Sequence, residues 1–230
     1  MAQVVSPAAF KEARAAILVE EKAVTKTLEE LAAKRRALPR VLVPNPSLFK
    51  FTAADGSVKT LSEIFEGRQQ LMLYQFMLVS GAAGCTGCSF VGDAIPHGPA
   101  LNHLLSRSVT FCCVAAADIE TVNSYNARMG WTFPFYSSPD LFKEADDLGE
   151  EVSWKPSNEL YRLAVFLKDD EGRIYHTYET SNRGVEVILS TYALLDMTPL
   201  GRREDKDSEN NDRGVFIRHD EYDFVKKGDE

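Results

Sequence analysis

The sequence predicts an α/β domain in which helices flank a central mixed sheet. Three observations carry this. Residues 70–79 (Gln-Leu-Met-Leu-Tyr-Gln-Phe-Met-Leu-Val) and 108–117 (Ser-Val-Thr-Phe-Cys-Cys-Val-Ala-Ala-Ala) are nearly continuous apolar runs. Such runs mark strands covered on both faces, as central parallel strands are. A third observation is the segment 160–179, two extended runs joined by Asp169-Asp170-Glu171-Gly172, which reads as a hairpin.

The elements follow in chain order. Residues 8–38 read as one long helix, with Phe10, Ala13, Ile17, Val24, Leu28 and Leu31 at near-helical spacing. Ser6 caps its start, Pro7 suits the first turn and Pro39 ends it. Its apolar stripe is expected to pack on the domain or on a partner subunit. Leu48 to Phe51 and Val58 to Leu61 flank Ala54-Asp55-Gly56-Ser57 as a short hairpin, followed by a helical turn from Ser62 to Phe65. The strand at 70–79 leads through Ser80-Gly81-Ala82-Ala83-Gly84 to a helix starting near Cys85. Pro96 and Pro99 interrupt that helix before Leu101 to Leu105. After the strand at 108–117, Asp118 caps a helix from Ile119 to Met129, and Gly130 ends it. Trp131 to Tyr136 reads as extended, 137–159 as loop with room for a turn of helix, and Val185 to Leu195 as a last helix. A charged run from Arg202 to Arg213 then reads as a surface tail with a short extended Val215 to Ile217.

A β-α-β crossover followed by a β-β-α unit is the thioredoxin-like arrangement. The organisation read from the chain is an N-terminal helical extension (1–40), a thioredoxin-like domain (41–200) and a charged C-terminal tail (201–230).

Charge and composition narrow the function. The net charge of −8 argues against nucleic-acid and anionic-membrane partners, which need a basic surface. No apolar run reaches the roughly 18 residues of a spanning helix. Lys11, Glu12, Arg14, Glu20, Glu21 and Lys22 are not what a signal peptide carries, so the expected compartment is the cytoplasm. In that reducing setting the four cysteines are expected as thiols, metal ligands or catalytic groups.

The Cys85-Thr86-Gly87-Cys88 motif follows a buried strand and opens a helix. Unpaired backbone N–H groups and the macrodipole there favour a thiolate. Such motifs bring cysteine pKa values from about 8.5 to between about 3.5 and 7.5. Cys85 is therefore the expected nucleophile, and Cys88, one turn on, the resolving thiol.

Other chemistries fit less well. Cys85, Cys88, His97 and His103 have a zinc-finger-like order, but the middle spacer is short and prolines flank His97. Gly81, Gly84 and Gly87 do not match a dinucleotide loop, and no Gly-Lys-Ser/Thr follows. Ser89, His176 and Asp220 lack a nucleophile elbow. Neither a cofactor nor a metal is expected. Cys112 and Cys113 alternate across a strand and read as small core residues.

A family resemblance runs through residues 10–222. Its segments include Lys34-Arg35-Arg36-Ala37-Leu38-Pro39, Gly84-Cys85-Thr86-Gly87-Cys88-Ser89-Phe90, Met129-Gly130-Trp131-Thr132-Phe133-Pro134, Arg183-Gly184, Thr198-Pro199-Leu200-Gly201-Arg202 and His219-Asp220-Glu221-Tyr222. On these the chain resembles a bacterial and fungal thioredoxin-like family of unknown function. The resemblance implies a thioredoxin-like fold with the cysteine pair at a helix start. Similarity to peroxiredoxins is weaker: Trp131 to Ser138 resembles one of their strands, and Arg162 precedes a strand as their catalytic arginine does. Ala82 stands where their cysteine motif has Thr or Ser, and Gly84 replaces the tryptophan usual in thioredoxins.

These observations predict a thiol–disulfide oxidoreductase acting on a thiol, disulfide or small-molecule substrate. Trp131, Phe133, Pro134 and Arg162 are the expected substrate-binding residues, with Phe135 a further aromatic on the approach. Core packing of these aromatics is the alternative. Two other functions stay open on the sequence: a non-catalytic thioredoxin-fold module that dimerises through the N-terminal helix, and a thiol-dependent enzyme of secondary metabolism.

Overall fold

The computed structural model describes residues 3–202 and 217–226. The expected extended segment at 215–217 lies, apart from Ile217, outside the described residues. Two compact units are present, residues 1–39 and residues 40–230.

The first unit is helix α1 (Pro7–Arg36). Ser6 caps it, its Oγ accepting from the Ala9 N–H at 3.3 Å. Lys34, Arg35 and Arg36 fill the last turn, where positive charge complements the exposed carbonyls. No residue of α1 is buried, and Phe10, Ile17, Val24 and Leu31 leave an exposed apolar stripe at seven-residue intervals.

The second unit is built on an eight-stranded mixed sheet. In chain order its elements are β1 (Val41–Leu42), β2 (Lys50–Thr52), β3 (Val58–Thr60), β4 (Gln70–Gln75), α2 (Thr86–Ala94), α3 (Asn102–Leu105), β5 (Val109–Ala115), α4 (Ile119–Met129), β6 (Phe135–Ser137), α5 (Pro139–Lys143), β7 (Arg162–Lys168), β8 (Ile174–Thr180), α6 (Ser190–Asp196) and α7 (Asp223–Lys226). The strand order is β1-β8-β7-β4-β5-β6-β2-β3. Within it, β4 runs parallel to β5 and antiparallel to β7, which pairs antiparallel with β8. A parallel β-α-β unit and an antiparallel hairpin sharing a central strand make this a thioredoxin-like fold, with β2 and β3 added at one edge and β1 at the other.

The two apolar runs are the centre of the sheet, and strand alternation divides the core in two. Phe111, Cys113 and Ala115 of β5 join Phe76, Val91, Trp131 and Phe135 on one face. Cys112 and Val114 join Leu71, Leu73, Phe65, Trp154 and Phe166 on the other. Cys112 and Cys113 are thus small core residues on opposite faces.

Several elements differ from expectation. Pairing of β4 ends at Gln75 because the chain turns away to form the loop before Cys85: the Phe76 N–H still reaches Val114, but the Met77 carbonyl accepts from the Cys85 N–H. The extended segment expected from Trp131 pairs only from Phe135, since Trp131 and Phe133 turn inward. The last helix is broken, with a 3₁₀ stretch (Asn182–Ile188), then Leu189 at φ −85°, ψ 85°, then α6. Val185 and Leu189 are both buried against the α2 side of the sheet, and the break sets their direction. The two-residue strand β1 pairs Val41 with His176 and had no periodicity to reveal it. Residues 139–148, expected as loop with a turn of helix, hold the short helix α5 and a 3₁₀ turn, more helix than expected.

Candidate functional site

Strand β4 delivers the loop 76–84 to the N-terminus of α2, and Cys85 is the N-cap residue of that helix. Its backbone is extended (φ −77°, ψ 126°), and its sulfur accepts from the Cys88 N–H at 3.3 Å. The sulfur thus replaces the oxygen acceptor usual at a helix start. Cys85 is half-buried, Cys88 is buried, and both are free thiols.

Their environments push the two thiols apart. Cys85 is lowered to about 6, foremost by the hydrogen bond from the Cys88 thiol, then by the backbone N–H groups of Cys88 and Gly87, with the Arg218 charge adding to them and burial opposing. Cys88 is raised, foremost by burial, then by donating its proton to Cys85 and by the charge that develops there. The two shifts have opposite sign, and together they favour the charge on the Cys85 sulfur over the Cys88 sulfur. Tyr74 faces Cys88, and its buried hydroxyl has no well-formed hydrogen bond among the described residues. The Tyr161 ring lies tilted beside that of Tyr74, with centroids 6.3 Å apart, and its hydroxyl is raised by burial and by both cysteines.

The loop before Cys85 is held by contacts distant in sequence. Gly84 has φ +75°, and a Cβ there would lie 2.7 Å from the Tyr125 ring. Only glycine lets the loop pass that ring. The Ser89 hydroxyl donates to the Cys85 carbonyl at 2.8 Å and lies 2.6 Å from the Tyr125 hydroxyl. Arg218 is 7% exposed, and its Nε donates to the Tyr125 hydroxyl at 3.0 Å. Its Nη2 donates to the Ala83 carbonyl at 2.6 Å and to the Gly84 carbonyl.

A profile described as "Bacterial protein of unknown function (DUF899)" matches residues 1–222. The chain belongs to this family. No curated protein matches it. Among solved structures, it is similar to a cysteine-to-serine mutant of Xanthomonas campestris peroxiredoxin Q, at 16% identity over 68% of this chain and 98% of that one, with a TM-score of 0.42. It is also similar to a mutant of Xylella fastidiosa PrxQ, at 20% identity over 68% and 95%, with a TM-score of 0.43. A third is a peroxidoxin from Mycobacterium tuberculosis, at 12% identity over 62% and 90%, with a TM-score of 0.41.

Segments that carry the family resemblance are joined through α2 and α4. Asp93 of α2 accepts from Trp131 Nε1 at 2.9 Å and lies 2.9 Å from His219 Nδ1. Arg128 of α4 pairs with Asp220 (2.7 Å) and Glu221 (2.9 Å), and Glu221 also pairs with Arg218 (2.8 Å). The segment 217–222 is therefore tied to both α2 and α4, although the sequence reads residues 201–230 as a charged tail.

The other expected site residues fall elsewhere. Trp131 and Phe133 are core residues, 5% and 1% exposed and stacked at 5.5 Å, and Phe135 is buried with them. The reason lies in α2: Gly92 leaves the space that the Trp131 indole fills, where a Cβ would come within 2.5 Å of it. Pro134 is half-buried, and its carbonyl accepts from the Cys113 N–H at 2.9 Å. Arg162 opens β7 opposite Gln75 and pairs with Glu179 at 3.2 Å. Its neighbour Tyr161 lies close enough to both cysteines for their charges to raise its hydroxyl. His97 stacks on Phe133 and His103 is exposed; among the described residues, no group of three or more His, Cys, Asp or Glu forms a metal site.

A groove of about 160 Å³ opens beside the motif, lined by Gly87, Phe90, Tyr161, Arg183, Glu186 and Tyr192 among others. A larger cavity of about 510 Å³ shares Phe90 but is walled by Asp93, Met129, Ile217, His219 and Tyr222, with neither cysteine in its lining. The smaller groove takes Gly87 of the motif into its lining, and neither cavity is lined by Cys85 or Cys88. Among the described residues, no helix is long and apolar enough to cross a membrane.

Proposed function

We propose that the protein is a thiol–disulfide oxidoreductase in which Cys85 is the nucleophile and Cys88 the resolving thiol. The observation that carries this is the capping geometry: a half-exposed sulfur accepts the Cys88 N–H at the start of α2 and is held below the usual thiol range. Only the thiolate attacks a disulfide, and a pKa near ambient pH combines a large thiolate fraction with retained nucleophilicity.

The Cys85 thiolate attacks one sulfur of a substrate disulfide, forming a mixed disulfide and expelling one substrate thiolate, which takes a proton from solvent. That bond removes the negative charge at 85, one of the groups holding Cys88 protonated. Cys88 then loses its proton more readily and attacks the Cys85 sulfur. The Cys85–Cys88 disulfide forms, and the second substrate thiolate leaves with the proton from Cys88. Two electrons pass from the protein dithiol to the substrate disulfide, and two external thiols of a reducing, cytoplasmic setting return them, leaving as their own disulfide. The groove beside Gly87 suits a small substrate arm with an apolar surface, laid against Phe90, Tyr161 and Tyr192.

Equilibration in glutathione buffers of graded redox poise, followed by acid quench and intact mass, tests this. A reversible loss of two hydrogens, mapped to a peptide joining Cys85 and Cys88, is expected. Glutathione adducts on unlinked cysteines, or no oxidation at all, would refute the pairing.

A further inference from the structure

We propose that Arg218 is the positioning residue of the Cys85 centre: its guanidinium, carried in on the C-terminal segment, fixes the loop that aims the Cys85 sulfur at the N-terminus of α2. This rests on the reading of Cys85 as a nucleophile.

The contacts form a closed circuit. Arg218 Nη2 takes the carbonyls of Ala83 and Gly84, the two residues before the cysteine. Its Nε takes the Tyr125 hydroxyl. The Ser89 proton is committed to the Cys85 carbonyl, so Tyr125 donates to Ser89. The peptide units on both sides of Cys85 thus end on one guanidinium, directly or through Tyr125 and Ser89. A lysine has one point of attachment and no planar fork, so it cannot hold both carbonyls and the phenol together.

The burial of Arg218 shows that this is not a surface ion pair. It is 7% exposed, and its one charged partner among the described residues, Glu221, is itself shared with Arg128. The Arg128 contacts to Asp220 and Glu221 tether the segment to α4, and the His219 contact to Asp93 tethers it to α2. The other titratable groups facing the pair are Tyr74 from β4 and Tyr161 from the turn before β7. The Arg218 charge bears on Cys85 and lowers it.

The test is the pH dependence of Cys85 alkylation by iodoacetamide, read by peptide mass in the full-length protein, for Arg218→Gln, Arg218→Lys and Tyr125→Phe. Thermal melting is recorded alongside. Arg218→Gln is expected to raise the Cys85 midpoint by about one pH unit, and Arg218→Lys to follow it because the fork is lost. Tyr125→Phe keeps the ring against Gly84 but cuts the circuit, and is expected to shift the midpoint in the same direction. An Arg218→Lys midpoint equal to wild type would show that charge alone matters and overturn the positioning role. Lowered melting with all three midpoints unmoved would overturn it as well, by reducing Arg218 to a structural residue. If Arg218→Gln does not fold, Arg128→Gln, which loosens the same segment from an exposed position, serves with the same sign. The function is tested apart from this: a wild-type protein with a low midpoint but no disulfide exchange would refute the oxidoreductase reading and leave the positioning role standing.

Discussion

Replacing Cys85 with serine is expected to bring disulfide exchange down to the uncatalysed rate while leaving the fold intact. Serine is a favoured helix N-cap, and its oxygen can accept the Cys88 N–H that the sulfur accepts now. The change in stability is therefore expected to stay within about 1 kcal/mol. Cys88→Ser gives the complementary result. The nucleophile survives, the mixed disulfide forms, and no second thiol releases it. Stopped-flow turnover of a chromogenic aromatic disulfide, with intact mass of each variant after the reaction, separates the two. A Cys85→Ser protein with wild-type turnover would remove Cys85 from the chemistry. A Cys88→Ser protein that sheds its adduct as fast as wild type would remove Cys88 as the resolving thiol.

The second large effect is structural and sits one residue earlier. Gly84→Ala puts a side chain at φ +75°, where left-handed backbone costs about 1–2 kcal/mol. The new methyl also meets the Tyr125 ring at 2.7 Å, and overpacking of this kind costs about 1–3 kcal/mol. Tyr125 is fixed by its hydroxyl contacts to Ser89 and Arg218, so the ring cannot swing away without breaking them. The loop must move instead, and it carries the carbonyls that Arg218 holds. Urea unfolding is expected to show a loss of about 2–5 kcal/mol, and Cys85 alkylation at pH 7 is expected to slow. Wild-type stability together with a wild-type alkylation rate would mean that the loop is not pinned as described.

Much of the fold was written in local pattern. The helix Ile119–Met129 is bounded as its cap and glycine require: Asp118 accepts the Thr121 N–H at 2.8 Å, and Gly130 takes φ +65°. The two central strands announced themselves as apolar runs because both of their faces are covered. The cysteine pair was legible for the same reason, since a buried strand followed by small residues leaves little choice about where the next helix begins.

What stayed hidden depends on pairings that no local pattern encodes. Arg218 lies 134 residues from Gly84, inside a stretch whose composition reads as a solvated tail. A lone arginine there carries no sign that its guanidinium is buried. Tyr161 was missed by one position. Pairing of Arg162 with Gln75 fixes the register of β7 and turns Arg162 to Glu179, which leaves its neighbour beside the cysteines. Trp131 and Phe133 could be read from the sequence either as lining the approach to Cys85 or as core. Gly92, on a different helix, decides for the core by making room for the indole. Reading that glycine requires knowing that α2 and the segment after α4 pack together.

Reaction of the thiol at position 85 with iodoacetamide across pH 4–10, resolved from the other three cysteines by peptide mass, bears on the central claim most directly. A single titration with its midpoint at about 6 is predicted, the rate rising with pH through that value and levelling by neutrality as the thiolate becomes complete. A midpoint at the ordinary value for a free cysteine, about 8.5, would mean that the helix start and its hydrogen bonds do not hold a thiolate there.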